Sequence, residues 1–191
     1  MGNNCQTGIV GCASIDDYMN GVIKRHELTR ADKEEDRIRH VDTCDANTGP
    51  IFLAYRRNST VDGIIEKYTA LLPEYDFVSE GDVKNTVWVI DDEKDIEAVV
   101  TAFEDIESLY IADGHHRAAS AVRVGQRRRE ENPDYTGNEE FNFFLAVFFR
   151  ADELKILDYN RLLADTNSHS DEELFALLEE SFTINESPVA V

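Results

Sequence analysis

The stretch Leu109-Tyr-Ile-Ala-Asp-Gly-His-His-Arg-Ala-Ala-Ser-Ala121 changes its residue pattern halfway along its length. Its apolar start, Leu109–Ala112, predicts a short buried strand, and the turn formers Asp113 and Gly114 end that strand. From His115 onward, small and apolar residues recur in a helical pattern. The stretch therefore predicts a strand, a tight turn and a helix in succession.

The start of the predicted helix is suited to binding an anion. Its first backbone N–H groups have no partner within the helix, and they face the turn at Gly114. His115, His116 and Arg117 bring two imidazoles and a guanidinium to the same place. Positive groups there oppose the helix dipole, and such a local cost is typical of a functional site. We therefore predict that Gly114, His116 and Arg117 bind a phosphate. The alternative is an ordinary N-cap by Asp113, worth about 1 kcal/mol.

The charge balance argues against two classes of partner. The 191 residues carry 39 acidic and 19 basic side chains, which gives a formal net charge of −20. Such a field repels nucleic acid and anionic membranes, so we expect neither as a partner. A small phosphorylated ligand can still bind where basic residues are concentrated locally. The sequence leaves the oligomeric state open.

The length, the cysteine spacing and the N-terminal residues indicate the number of domains and the cellular location. A chain of this length suits a single domain over residues 1–191. Cys5, Cys12 and Cys44 have the spacing of neither a zinc site nor a disulfide framework. The sequence shows no signal-peptide pattern at its start and no apolar run of membrane-spanning length. We therefore expect a cytoplasmic protein.

The rest of the chain predicts an α+β fold. The β-rich runs are residues 6–15, 22–24, 51–55, 75–78, 86–90, 140–150, 155–159 and 182–184. Helical patterns separate them at 16–20, 31–40, 61–72, 91–103, from 115 and at 171–180. Because hairpins alternate with helical crossovers, we expect a mixed, largely antiparallel sheet flanked by helices.

Two of these helices carry more detailed expectations. Ser59 or Thr60 is expected to cap the 61–72 helix. The buried side of the 91–103 helix is expected to consist of Ile96, Val99, Val100 and Phe103.

Two further groupings carry reactive side chains, His26-Glu27 and a basic set in and before the 31–40 helix. Lys33, Arg37 and His40 lie four and three residues apart, so one helical face can present all three. With Arg30 they form a predicted basic face toward a charged ligand. The alternative is a solvated surface, because residues 31–40 have almost no apolar stripe.

Phosphoryl transfer is the reaction that these residue types fit best. It requires positioned cations and backbone N–H groups around the phosphates, and a carboxylate near the accepting hydroxyl. We assign catalytic roles to His115 and to Glu27 and Asp113, either of which can orient or deprotonate the acceptor. No Gly-x-Ser-x-Gly elbow or Walker-type loop is present in the sequence.

A metal site is not expected from His115 and His116 alone, because adjacent helical side chains point about 100° apart. A single histidine with Asp113 and a carboxylate from elsewhere in the chain remains open. Mg²⁺ that bridges the phosphates of a ligand would need few ligands from the protein.

Several motifs in a fixed order resemble an uncharacterised prokaryotic family, domain of unknown function one-thousand-and-fifteen. They are Arg25-His-Glu-Leu-Thr-Arg30, Lys33-Glu-x-Asp36-Arg37, Tyr110-Ile-Ala-Asp-Gly-His-His-Arg117 and Leu157-Asp-Tyr-Asn-Arg161. The resemblance spans residues 6–184. Family members are longer and are often linked to serine-biosynthesis genes. The resemblance implies a fragment of a longer protein, with residues 1–5 as a remnant of cloning.

More distantly, Asp113-Gly-His-His-Arg117 is similar to the Asp-Gly-His-x-Arg signature of the ParB/sulfiredoxin-like superfamily. This likeness implies a strand–turn–helix that binds nucleotide phosphates, and ATP, ADP or pyrophosphate as ligand, with Mg²⁺. Asp113, His115 and Arg117 match the signature, and His116 occupies its variable position. One branch contains free-serine kinases with a glutamate base, a role that order along the chain assigns to Glu27. The strong negative charge departs from the DNA-binding relatives.

Two hypotheses from different classes follow. The first is a phosphate- or nucleotide-binding domain of a small-molecule phosphotransferase, with free serine as the expected acceptor. The second is a non-catalytic regulatory domain that senses a phosphorylated metabolite. A DNA-binding module ranks third because of the acidic composition.

Overall fold

The computed structural model describes residues 5–27, 31–157 and 163–185, and the side chains of residues 31–33 lie outside this description. The described strands are β1 Gly8–Ser14, β2 Ile23–Lys24, β3 Ile51–Tyr55, β4 Tyr75–Ser79, β5 Val83–Val87, β6 Leu109–Asp113 and β7 Phe143–Arg150. The described α-helices are α1 Ile15–Met19, α2 Ala31–Cys44, α3 Ser59–Thr69, α4 Glu93–Glu104, α5 His115–Glu131 and α6 Asp171–Glu179. The chain divides into two compact units, residues 1–154 and 155–191, and the strands all lie in the first.

The main sheet has five strands in the order β1-β7-β3-β6-β2, and β4 and β5 form a separate hairpin. Antiparallel pairing joins β1 to β7, β3 to β6 and β4 to β5. Parallel pairing joins β3 to β7 and β2 to β6. The prediction of an α+β fold with a mixed, largely antiparallel sheet flanked by helices is therefore confirmed.

The core contains residues of all five strands of the main sheet and of helices α1, α3, α4 and α5. On β7, Phe144, Ala146 and Phe148 are buried while the residues between them are only partly so, as the two-residue period of a strand requires. Small residues such as Ala118 let α5 approach the sheet closely. Full burial of a side chain such as Phe144 stabilises the fold by about 1.5–3 kcal/mol.

Two details of α3 and α4 differ from the sequence predictions. Asn58, rather than Ser59 or Thr60, caps α3, because its extended backbone lets the side chain accept from the backbone N–H groups of Thr60 and Val61.

The buried side of α4 is centred on Ala102, whereas Ile96 and Val100 are exposed. The small Ala102 side chain faces inward. The backbone carbonyl of Ala102 accepts a hydrogen bond from the Asn58 side-chain amide at 3.4 Å. Val99 and Phe103 are partly buried, as predicted, and the Phe103 ring packs against Tyr55 and Phe148. The prediction for α4 is therefore wrong only at Ile96 and Val100.

The predicted strands at 155–159 and 182–184 are wrong for the described residues, since 155–157 and 182–184 form no strand. The remaining residues, 158 and 159, lie outside the described part of the chain. β7 already pairs with β1 on one side and β3 on the other, so it has no free edge for a hairpin partner. A 3-10 turn at Ala151–Glu153 ends β7, and Glu153 accepts a hydrogen bond from the backbone of Thr7 instead.

Within the described ranges, the structure contains no helix with both the length and the apolar character needed to cross a membrane.

Candidate functional site

The pairing of β2 with β6 determines which segments meet at the candidate site. Ile23 lies opposite Leu109 and Lys24 opposite Tyr110, and the two strands run in parallel. The carboxyl ends of parallel strands meet at one edge of a sheet, where ligands commonly bind in α/β proteins. The segment after β2 and the turn after β6 therefore leave the sheet side by side.

The turn after β6 begins helix α5 without a side-chain cap. Gly114 is the N-cap residue, with φ 98° and ψ 27° in the left-handed region, and no side chain caps the helix. Asp113 is the last residue of β6 and does not act as the cap. Glycine thus offers no N-cap side chain to the first backbone N–H groups of α5. The alternative of an ordinary Asp113 cap is wrong.

The Arg117 guanidinium lies over this turn. Its Nη2 donates to Asp113 Oδ2 at 2.6 Å, across one turn of chain. A Cβ at Gly114 would lie 3.0 Å from Arg117 Nη2, and one at Gly49 would lie 3.3 Å from Nη1. The positive φ favours glycine at position 114, and a Cβ there would also require the flexible Arg117 side chain to shift by a few tenths of an ångström.

His115 is buried beside the segment that follows β2. Its side chain is 5% exposed, and its Nδ1 lies 3.7 Å from Glu27 Oε2. The ring of His26 meets the ring of His115 edge-on, with 4.5 Å between their centroids. Burial lowers the pKa of His115, and the nearby His26 lowers it further, so the imidazole is neutral at physiological pH.

Five of the predicted site residues are thus close together. Glu27 contacts His115, while Asp113, Gly114 and Arg117 form the turn at the start of the same helix. His116 follows His115 in α5 and is partly buried.

Two side chains of the predicted basic face, Arg37 and His40 on α2, belong to the described part of the chain. Arg37 and His40 are exposed, and His40 Nε2 hydrogen-bonds Thr48 Oγ1 at 3.1 Å, next to the Gly49 that adjoins Arg117. Arg30 and the side chain of Lys33 lie outside the described residues. The α2–α5 packing involves other residues of α2, including the buried Ile38 and Glu34, which pairs with Arg123 at 3.4 Å.

His26 was noted in the sequence but received no role there, and it belongs to the site by its contact with His115. The signal that could have found it is the parallel pairing of β2 with β6. His26 lies two residues after Lys24, the last paired residue of β2. The pairing of Lys24 with Tyr110 brings His26 beside the turn that precedes His115.

Comparison with known proteins returned one family match. The model of the family described as "Protein of unknown function (DUF1015)" matches residues 1–190. No curated protein and no solved structure matches the chain.

Proposed function

The chain belongs to the family described as "Protein of unknown function (DUF1015)", and we propose that it is a phosphate- or nucleotide-binding domain of a small-molecule phosphotransferase. The observation that carries this proposal is the uncapped start of α5 at Gly114, with the Arg117 guanidinium over it and Glu27 beside His115. Free serine is the proposed acceptor, on the likeness of the Asp113–Arg117 motif to the kinases of the ParB/sulfiredoxin-like superfamily.

The phosphate side of the proposed site is the turn itself. Free N–H groups at a helix start bind phosphate oxygens, and the positive end of the helix dipole adds to this attraction. Arg117 offers a planar fork of donors that fits a phosphate, with Asp113 holding that fork in place. His116 lies next in the helix, and the α2 residues Arg37 and His40 would serve longer phosphate chains of ATP, ADP or pyrophosphate with Mg²⁺.

The acceptor side of the proposed site is Glu27. Its side chain is 60% exposed, so it is accessible to a substrate, and its Oε2 lies near the neutral imidazole of His115. In the proposed transfer, the acceptor hydroxyl oxygen forms a bond to the terminal phosphorus as the bond to the leaving phosphate oxygen breaks. The hydroxyl proton passes to the Glu27 carboxylate.

Ligand-induced thermal stabilisation tests the phosphate side. With pyrophosphate or ATP and Mg²⁺ at about 100 times Kd, binding stabilises the fold by about 2.7 kcal/mol. For a chain of this length, this corresponds to a rise in Tm on the order of 5–10 °C. Arg117→Ala is expected to weaken binding about 10- to 100-fold, because a charge-assisted hydrogen bond contributes about 1.5–3 kcal/mol. At the same ligand concentration, between about half and nearly all of the Tm shift is then lost.

Arg123→Ala is the matched control, since Arg123 lies on the same helix but pairs with Glu34. It should keep the full ligand-induced shift. If no phosphate ligand raises Tm, or if both variants respond like the wild type, the proposal is wrong. Binding that is retained in Glu27→Gln, without transfer to serine by the wild type, would instead favour a non-catalytic sensor of phosphorylated metabolites.

A further inference from the structure

Three side chains at the site are arranged as metal ligands would be. One ligand atom each from His26, Glu27 and His115 lies within 4.8 Å of the other two. The 3.7 Å between His115 Nδ1 and Glu27 Oε2 is too long for a hydrogen bond. It is close to the distance of about 3.4 Å between two atoms bonded to one tetrahedral zinc ion, which follows from metal–ligand bonds of about 2.0–2.1 Å.

The buried imidazole of His115 lacks good partners at both ring nitrogens. Its Nε2 is buried and has no hydrogen-bond partner among the described residues. In the described part of the chain, its Nδ1 lies 3.7 Å from the Glu27 carboxylate. An ion at Nδ1 would give that nitrogen a bonded partner, while Nε2 on the other side of the ring would keep none among the described residues.

The other two side chains leave room for an ion and for a further ligand. His26 and Glu27 are both exposed, whereas His115 is held in the interior at the start of α5. Three protein ligands with one open side are the pattern of catalytic zinc sites, in which the fourth position is taken by water or substrate.

We propose that His26, Glu27 and His115 bind a single divalent transition ion of the zinc type. Two imidazoles and one carboxylate are the donor set of known zinc sites, whereas Mg²⁺ and Ca²⁺ prefer sites made of oxygen atoms. The edge-on contact of the two imidazole rings at 4.5 Å keeps the donors near one point before the ion arrives.

This site does not require the proposed phosphotransferase activity, because the ion would be held by the protein alone. If both proposals hold, the ion would make the acceptor hydroxyl easier for Glu27 to deprotonate. A bound ion lowers the pKa of a coordinated hydroxyl or water.

Titration with Zn²⁺ and Co²⁺ tests the site in the full chain without an affinity tag. Cys5, Cys12 and Cys44 are exposed, so all three are first replaced by serine to prevent binding by thiolates. The buffer contains no phosphate, so a failure of phosphate binding has no effect on this measurement. One equivalent of ion is expected to bind, without competition from millimolar-range Mg²⁺.

His26→Ala and Glu27→Gln are expected to weaken binding about tenfold or more each, with a change in the visible spectrum of the Co²⁺ form. Both positions are exposed, so both variants should fold. The buried His115 need not be substituted. His169→Ala is the control, because His169 Nδ1 lies 3.8 Å from Glu173 Oε2 without forming part of this cluster. No uptake by the parent protein, or equal uptake in His26→Ala and Glu27→Gln, would overturn the proposal.

Discussion

Glu139 fixes the loop between α5 and β7 by accepting four hydrogen bonds. Its Oε1 accepts from the backbone N–H of Thr136 at 2.7 Å and from the Thr136 hydroxyl at 3.0 Å. Its Oε2 accepts from Gly137 N at 2.9 Å and from the buried Asn142 amide at 3.0 Å. The Thr136 backbone hydrogen bond is the main cause that lowers the pKa of Glu139 to about 2, against the opposing effect of burial. The ionised form is therefore the one that the native loop stabilises.

Glu139→Gln is expected to lower the free energy of unfolding at pH 7. A carboxyl group whose pKa is depressed in the native state stabilises it fully above its pKa in the unfolded chain, about 4.3. That contribution is lost as the pH falls toward the native pKa of about 2. The difference between wild type and variant, measured by urea unfolding, should therefore shrink between pH 5 and pH 2. Glu140→Gln removes the same charge at an exposed neighbour and should have a smaller effect, and equal effects would contradict the prediction.

The individual residues of the site were predictable only where they are adjacent in sequence. Asp113, Gly114 and Arg117 could be assigned together because a strand, a turn and a helix start are all local features. The contact of Glu27 and His26 with His115 depends on which strand pairs with β6. Strand order is set by the packing of the whole sheet, and no local residue pattern specifies it.

At the scale of elements, prediction succeeded where burial is complete and failed where it is one-sided. The apolar run of β3, Ile51–Tyr55, was predicted with the bounds that the structure shows. Helix α6 has no buried residue, and its predicted start at residue 171 is confirmed because a local feature, the cap at Ser170, specifies it. The prediction of the buried side of α4 was partly wrong. Helices pack by shape, and Ala102 gives a closer approach than Val100.

The close contact between α5 and the chain before β7 gives a prediction at this scale. A Cβ at Gly125 would overlap the carbonyl oxygen of Phe141 and lie 2.7 Å from Ile15 Cδ1, whereas one at Gly63 in α3 would meet nothing within 4 Å. Gly125→Ala should therefore lower the free energy of unfolding by about 1–3 kcal/mol. Gly63→Ala should raise it by about 0.5–1 kcal/mol, because alanine favours a helix over glycine. Chemical denaturation measures both, and changes of the same sign would contradict this account.

At the scale of the whole molecule, the acidic excess is only partly balanced by ion pairs. The basic residues at the end of α5 face acidic partners. Arg128 pairs with Asp45 and Asp42, and Arg129 forms a bidentate ion pair with Asp16. These arginines therefore do more than complement the negative end of the helix dipole. The 39 acidic residues still outnumber the 19 basic ones, so repulsion remains over the surface.

Salt should therefore stabilise this protein at neutral pH. Raising NaCl from about 0.01 M to about 1 M shortens the Debye length from about 30 Å to about 3 Å, which screens the repulsion of a net charge of −20. Salt also weakens exposed ion pairs, but each of these contributes only about 0–1 kcal/mol. We expect Tm to rise across this range, equally in NaCl and KCl, and to rise less at pH 4, where part of the acidic excess is protonated. A fall in Tm at pH 7 would show instead that specific ion pairs such as Arg129–Asp16 outweigh the net repulsion.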